Sequence, residues 1–171
     1  TLEKFFHRGY YFLVTGSVFD AKYKGTDDVW RNTTYNARFA ANALVAKEFT
    51  FKNKSALNIG AKFTTIGGRW YGPVDEDASQ AQREIIYVDG DRNTEQFDDY
   101  FRLDLKTNLT WNRPETTHEL GIDFVNILNT ENILKLTYAP DEMDINEADY
   151  SSVREEYQLG FLPIFFYRAD F

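Results

Sequence analysis

Between 101 and 111 apolar and polar residues alternate, with Thr107 alone breaking the apolar series. Odd positions carry Phe101, Leu103, Leu105, Thr107, Leu109 and Trp111, and even positions carry Arg102, Asp104, Lys106, Asn108 and Thr110. Helical spacing would scatter both sets, whereas successive side chains of a strand point to opposite faces. The segment therefore reads as a two-faced strand. The same alternation sets Leu57, Ile59, Ala61 and Phe63 against Asn58, Lys62 and Thr64. It sets Tyr35, Ala37, Phe39, Ala41, Ala43 and Val45 against Asn36, Arg38 and Asn42. Leu120, Ile122 and Phe124 oppose Glu119, Gly121 and Asp123, and Phe165, Tyr167, Ala169 and Phe171 oppose Arg168 and Asp170.

These patterns predict six long strands, at 10–24, 34–51, 56–71, 100–112, 117–128 and 156–171, after the tail of a seventh at 1–5. At about 3.3 Å per residue, the strand at 100–112 extends about 43 Å. Tilted by about 40°, it still exceeds the roughly 25 Å apolar band of a transmembrane barrel wall. The connections alternate in length: polar turns at 7–9, 52–55 and 113–116, and long links near 25–33, 72–99 and 129–155. Transmembrane barrels show this alternation, with short turns on the periplasmic side and long loops outside. The expected fold is all-β, an antiparallel up-and-down transmembrane β-barrel segment occupying 1–171. The opening residues read as the end of a strand, so the plug and earlier strands of such a barrel are expected outside this segment. The alternative is a soluble small β-barrel or sandwich binding an apolar ligand, with Leu103, Leu105 and Leu109 buried together.

Composition narrows the choice. Aromatic residues make up 17% of the chain, with 11 Tyr and 15 Phe; that excess suits strands, and Tyr also suits a membrane–water interface. No run of 18 apolar residues exists that could form a transmembrane helix. Cysteine is absent, so disulfide and thiolate chemistry are excluded. The net charge of −8 is unevenly spread, since 73–99 carries nine acids against two Arg and 140–156 seven acids against one Arg. Both acidic stretches fall in predicted exterior loops, and the remainder of the chain is net positive. That balance argues against nucleic-acid binding, which needs a basic stripe.

Several stretches resemble the C-terminal part of a TonB-dependent receptor of the Bacteroidota type. They are GYYFLVTGSVFDAKYKG at 9–25, VWRNT at 29–33, IGGRWY at 66–71, DYFRLDLK at 99–106, NILNTEN at 126–132 and YRADF at 167–171. The resemblance implies a wall segment of a plugged 22-stranded barrel in the bacterial outer membrane, importing a metal chelate, vitamin or glycan. It implies as partners the plug and earlier strands, TonB acting through an N-terminal part, the barrel-assembly machinery and outer-membrane lipid. The terminal strand, with Phe165, Tyr167 and Phe171, is expected to be the assembly signal.

Arg38, Asn42, Lys62, Arg102, Asp104, Lys106 and Asp123 are expected on the lumen face, as contacts to plug or substrate or as a self-paired wall. Opposite charges on neighbouring strands, such as Lys106 and Asp123, are expected to pair. Asp89, Asp91, Asn93 and Glu95 place oxygen-bearing side chains at alternate positions, a pattern hard cations favour. Thr94 and Tyr100 stand where a calcium loop of the EF-hand type needs Gly and Glu. His7 and His118 have no suitably spaced partners for a triad or metal. The sequence predicts no enzyme and no cofactor.

Overall fold

A computed structural model describes residues 1–52, 54–139 and 152–171. Strands hold 58% of the residues and helix 6%, so the chain is all-β. Thirteen strands occur among the described residues: β1 (Leu2–His7), β2 (Tyr10–Val18), β3 (Lys22–Lys24), β4 (Trp30–Asn32), β5 (Phe39–Thr50), β6 (Ala56–Ile66), β7 (Trp70–Tyr71), β8 (Glu95–Gln96), β9 (Tyr100–Asn112), β10 (Thr117–Val125), β11 (Ile133–Tyr138), β12 (Val153–Tyr157) and β13 (Leu162–Asp170). One short α-helix, α1 (Glu76–Gln82), and a 3-10 turn at Asp89–Asp91 lie between β7 and β8.

Seven strands form one antiparallel sheet in the order β1-β2-β5-β6-β9-β10-β13. Each pairs with the next long strand in the chain, so the topology is an up-and-down meander, open between β1 and β13. The long links carry small two-stranded sheets, β3 with β4, β7 with β8 and β11 with β12. The short links are tight. In the β1–β2 turn both Arg8 (φ 54°) and Gly9 (φ 76°) are left-handed, the two-residue geometry that follows the twist of paired strands. A side chain at position 9 would strike the Glu48 carbonyl, 2.7 Å from the Cβ position.

Several strands are shorter than their patterns. The stretch 10–24 breaks after Val18, because the Phe19 amide bonds the Arg38 carbonyl and 22–24 pairs with β4 instead. The stretch 34–51 begins its ladder at Phe39, after Arg38 turns left-handed (φ 65°). The stretch 56–71 breaks at Gly67 and Gly68, where other backbone passes so close that any Cβ would sit 1.9 Å from the Ala37 oxygen or 1.7 Å from the Phe97 oxygen. The stretch 117–128 ends at Val125, before Asn126 (φ 51°). The stretch 156–171 is two strands, because 153–157 pairs with β11 and only 162–170 joins the main sheet. Within the long link 72–99 lies α1, which the strand pattern misses; its cues are Asp75, whose carboxylate caps Ala78 N–H at 2.9 Å, and two acids in the first turn. Most of the acidic stretch 140–156 lies outside the described residues.

Directly opposed residues in a ladder share a face, so the register extends each strand's alternation across the sheet. One row runs Phe12, Val45, Ala61, Leu105, Phe124 and Pro163; the next inward along the strands runs Leu13, Leu44, Lys62 and Asp104. One face is therefore apolar and the other carries the polar side chains, with apolar members such as Leu13 and Leu44. Among the described residues Ala37, at 5% exposure, stands as the whole buried hydrophobic core. Leu120 (51%), Phe165 (73%) and Tyr167 (60%) stay exposed on the apolar face.

Candidate functional site: the polar wall and its loop vestibule

The polar face is organised by ladder pairing. Lys106 and Asp123 are direct partners, and the Lys106 ammonium lies 3.2 Å from Asp123 Oδ2. Arg102 and Asp104 share a strand face, with Arg102 Nε donating to Asp104 Oδ2 at 3.1 Å. The other oxygen of Asp104 accepts the Asn126 amide at 2.9 Å. Asp104 is thus committed to holding a loop, as a self-paired wall requires. Asn42 Oδ1 accepts the Thr64 hydroxyl at 3.0 Å across the β5–β6 ladder. Lys62 stands opposite Asp104 but has no carboxylate within 4.0 Å among the described residues. One oxygen of Asp123, Oδ1, is buried without a hydrogen-bond partner.

Arg38 departs from the expected row. It precedes β5, and its guanidinium lies 5.1 Å from the centre of the Trp70 ring, at the loop end of the sheet. The polar face also includes a cluster toward the short turns that alternation does not single out. Asn108 donates to Glu119 at 2.7 Å, and Glu119 lies 3.5 Å from Arg168, which donates to Asp170 at 3.0 Å. The signal for that cluster was the pairing of β10 with β13, which no single strand reveals.

Buried asparagines fold the loops over the sheet edge. Asn36 is fully buried; its Nδ2 donates to Asp20 Oδ1 (2.8 Å) and Asn32 Oδ1 (2.9 Å), and its Oδ1 accepts Ala21 N–H (2.8 Å). Its carbonyl accepts the Trp70 indole N–H at 2.7 Å. Asn126 closes on Thr130, and Asn132 bonds both the amide and the carbonyl of Phe101, acting as a short strand beside β9. Asn129 accepts the Phe161 amide at 2.8 Å. The NILNTEN stretch is therefore a set of backbone clasps.

Between these loops lie open cavities. One of about 750 Å³ is walled by Tyr23, Trp70, Tyr71, Tyr87 and Phe97, with Arg69 and Lys135 on its lining. Arg69 donates to the Leu134 carbonyl, tying β11 to the cavity wall. A neighbouring cavity of about 960 Å³ is lined by Asp20, Trp30, Arg31, Asp91 and Arg92. Arg31 grips Asp27 with both terminal nitrogens, at 2.6 and 2.9 Å, and reaches the Gly90 carbonyl at 3.2 Å. That fork, with the Val29 amide, holds the Asp27 carboxyl below its ordinary pKa. Asn36 and Lys22 do the same for Asp20. Burial raises Tyr87, and burial with the Glu95 hydrogen bond raises Tyr71, so both phenols stay neutral donors. Aromatic faces with amide and guanidinium donors suit capture of an amphipathic small molecule.

The candidate cation loop is not assembled. Asp89 pairs with Arg92 at 2.7 Å, Asn93 donates to the Asn32 carbonyl at 2.7 Å, and Glu95 turns to Tyr71. Among the described residues no three His, Cys, Asp or Glu side chains gather as a metal site. In the terminal strand, Phe165 and Tyr167 lie on the apolar face, and Phe171, 99% exposed, follows the last ladder residue, Asp170. Tyr167 Oη lies 2.7 Å from His118 Nδ1, and the His118 ring stacks on Trp111 at 5.2 Å. Comparison with models of protein families, with curated proteins and with solved structures gives no match.

Proposed function

We propose that this chain is a wall and exterior-loop segment of a TonB-dependent outer-membrane transporter that imports a nutrient such as a metal chelate, vitamin or glycan. One observation carries the proposal: a seven-stranded sheet with an apolar, exposed face and no buried hydrophobic core among the described residues beyond Ala37. A water-soluble sandwich must bury one face of each sheet, and this sheet buries neither. Of the three leucines that the soluble alternative would bury together, Leu109 is 38% exposed and Leu103 and Leu105 are half-buried. Lipid on that face removes the cost of exposure. The 13-residue β9 is long enough to cross the apolar band.

In this role the polar wall faces a plug and the ligand path, and the loop cavities receive the ligand outside. Energy reaches the plug through TonB, and the segment contributes binding and containment, not catalysis. β13 would pair with the barrel's first strand to close the wall, presenting Phe165, Tyr167 and Phe171 to the assembly machinery. The test is fractionation of cells expressing the parent protein. Recovery in the outer membrane, with heat-modifiable migration on gels, is expected; recovery in a soluble fraction contradicts the proposal.

A further inference from the structure

The apolar face of the seven-stranded sheet is almost free of charge. Every Asp, Glu and Arg that its ladders pair lies on the polar face, as do Lys62 and Lys106. Two lysines break the rule. Lys4 is the ladder partner of Phe12, and Lys47 is the partner of Tyr10 and Ile59, so both point from the apolar face. They converge on one ring. The Lys47 ammonium donates to Tyr10 Oη at 2.6 Å and lies 4.3 Å from the Tyr10 ring centre and 4.7 Å from that of Phe49. The Lys4 ammonium lies 5.8 Å from the same Tyr10 ring.

Neither ammonium has a carboxylate within 4.0 Å among the described residues. Elsewhere Lys22, Lys24, Lys106 and Lys135 each hold an acid within 3.2 Å. An ammonium has three donors, and Lys47 spends one on Tyr10. The cluster sits at the short-turn rim, because Tyr10 is the first residue of β2 after the turn at Arg8 and Gly9. On a lipid-facing wall a lysine is costly at mid-depth and nearly free at the interface, where tyrosine also concentrates. Paired basic residues there attract anionic lipid.

We propose that Lys4, Lys47 and Tyr10 form a binding site for the phosphate of an anionic phospholipid in the leaflet at the short-turn rim; this rests on the membrane role proposed above. The surroundings favour a lipid over free phosphate. Val45 (50% exposed) and Phe49 (39%) flank the cluster on the same face, so acyl chains have an apolar surface to lie on while the headgroup meets the amines.

The test uses the parent receptor in detergent and native mass spectrometry, with phosphatidylglycerol, phosphatidylcholine and inorganic phosphate as probes. Phosphatidylglycerol should be retained in preference to phosphatidylcholine and should resist competition by inorganic phosphate. The double variant Lys4→Gln/Lys47→Gln should weaken its retention by roughly tenfold or more, while Lys52→Gln, a basic residue in another short turn, should leave it unchanged. Lys47→Arg should keep binding. Equal loss in Lys52→Gln would reduce the effect to general surface charge and overturn the site. Unchanged binding in the double variant would also overturn it. Displacement by inorganic phosphate would overturn the lipid as its occupant. A parent protein recovered lipid-free from the aqueous fraction would instead sink the membrane role beneath it.

Discussion

Asn36 shows how one side chain can organise a loop. It is fully buried, gives both side-chain N–H donors to Asp20 and Asn32, and accepts Ala21 N–H at its oxygen. Replacing it with alanine strips the half-buried Asn32 oxygen and Ala21 amide of their partner, at about 1–3 kcal/mol for each group left unsatisfied, whereas the exposed Asp20 keeps Lys22 at 3.0 Å. Asn36→Ala is expected to release the 19–38 loop, read as accelerated hydrogen exchange at the Ala21 amide with β9 exchange unchanged. Gly121 is a second case. It faces Phe166 across the β10–β13 ladder, and a Cβ there would lie 2.3 Å from the ring. The Lys106 ammonium also lies over that ring, 4.8 Å from its centre. Gly121→Ala should cost about 1–3 kcal/mol by overpacking. Coupling to Phe166→Leu in a double-mutant cycle should recover part of that loss, whereas additive effects would contradict the ring-on-glycine contact. Alternation placed Asn36 on a polar face but could not show that it is a hub, since two of its three partners, Asp20 and Ala21, lie sixteen and fifteen residues earlier.

At the scale of elements, periodicity located β9 to the residue and placed its two faces correctly, because its alternation is uninterrupted. It overran the other long strands, β2, β6 and the last among them. Those breaks are set by tertiary partners: the Arg38 carbonyl takes Phe19, two foreign carbonyls crowd Gly67 and Gly68, and β11 takes 153–157. A lone pattern of alternate polarity holds no record of such partners. The loop elements also carry the pH dependence. Asp20 and Asp27 have lowered pKa values in the folded loops, so their ionised forms stabilise those loops above the ordinary aspartate value of about 3.9. That contribution is lost as pH falls through the lowered values. Protection of the 19–38 amides, expressed relative to their intrinsic exchange rate at each pH, should therefore be level from neutral pH to about 4 and fall below it, while Asp27→Asn should show lower protection already at neutral pH. A loop insensitive to both would contradict the Arg31–Asp27 clasp.

For the whole molecule, the decisive feature is a sheet that buries neither face. The short and long connections, the polar ladder of Lys106 with Asp123, and the charge-poor opposite face were all legible from the sequence. The loop cavities were not, because Tyr23 comes from one link, Trp70, Tyr87 and Phe97 from a second and Lys135 from a third, and only folding brings them together. A free-standing soluble domain and a membrane wall make opposite demands on the apolar face of β9. The most direct measurement is a spin-label scan of residues 101–111 in the proposed receptor reconstituted in a bilayer, read by power saturation with oxygen and a water-soluble nickel chelate. Labels at 101, 103, 105, 107 and 109 should be relaxed by oxygen and shielded from nickel, and labels at 102, 104, 106, 108 and 110 should be less accessible to oxygen, giving a period of two. Odd positions shielded from both reagents, or reached by nickel as readily as even ones, would contradict a lipid-facing wall.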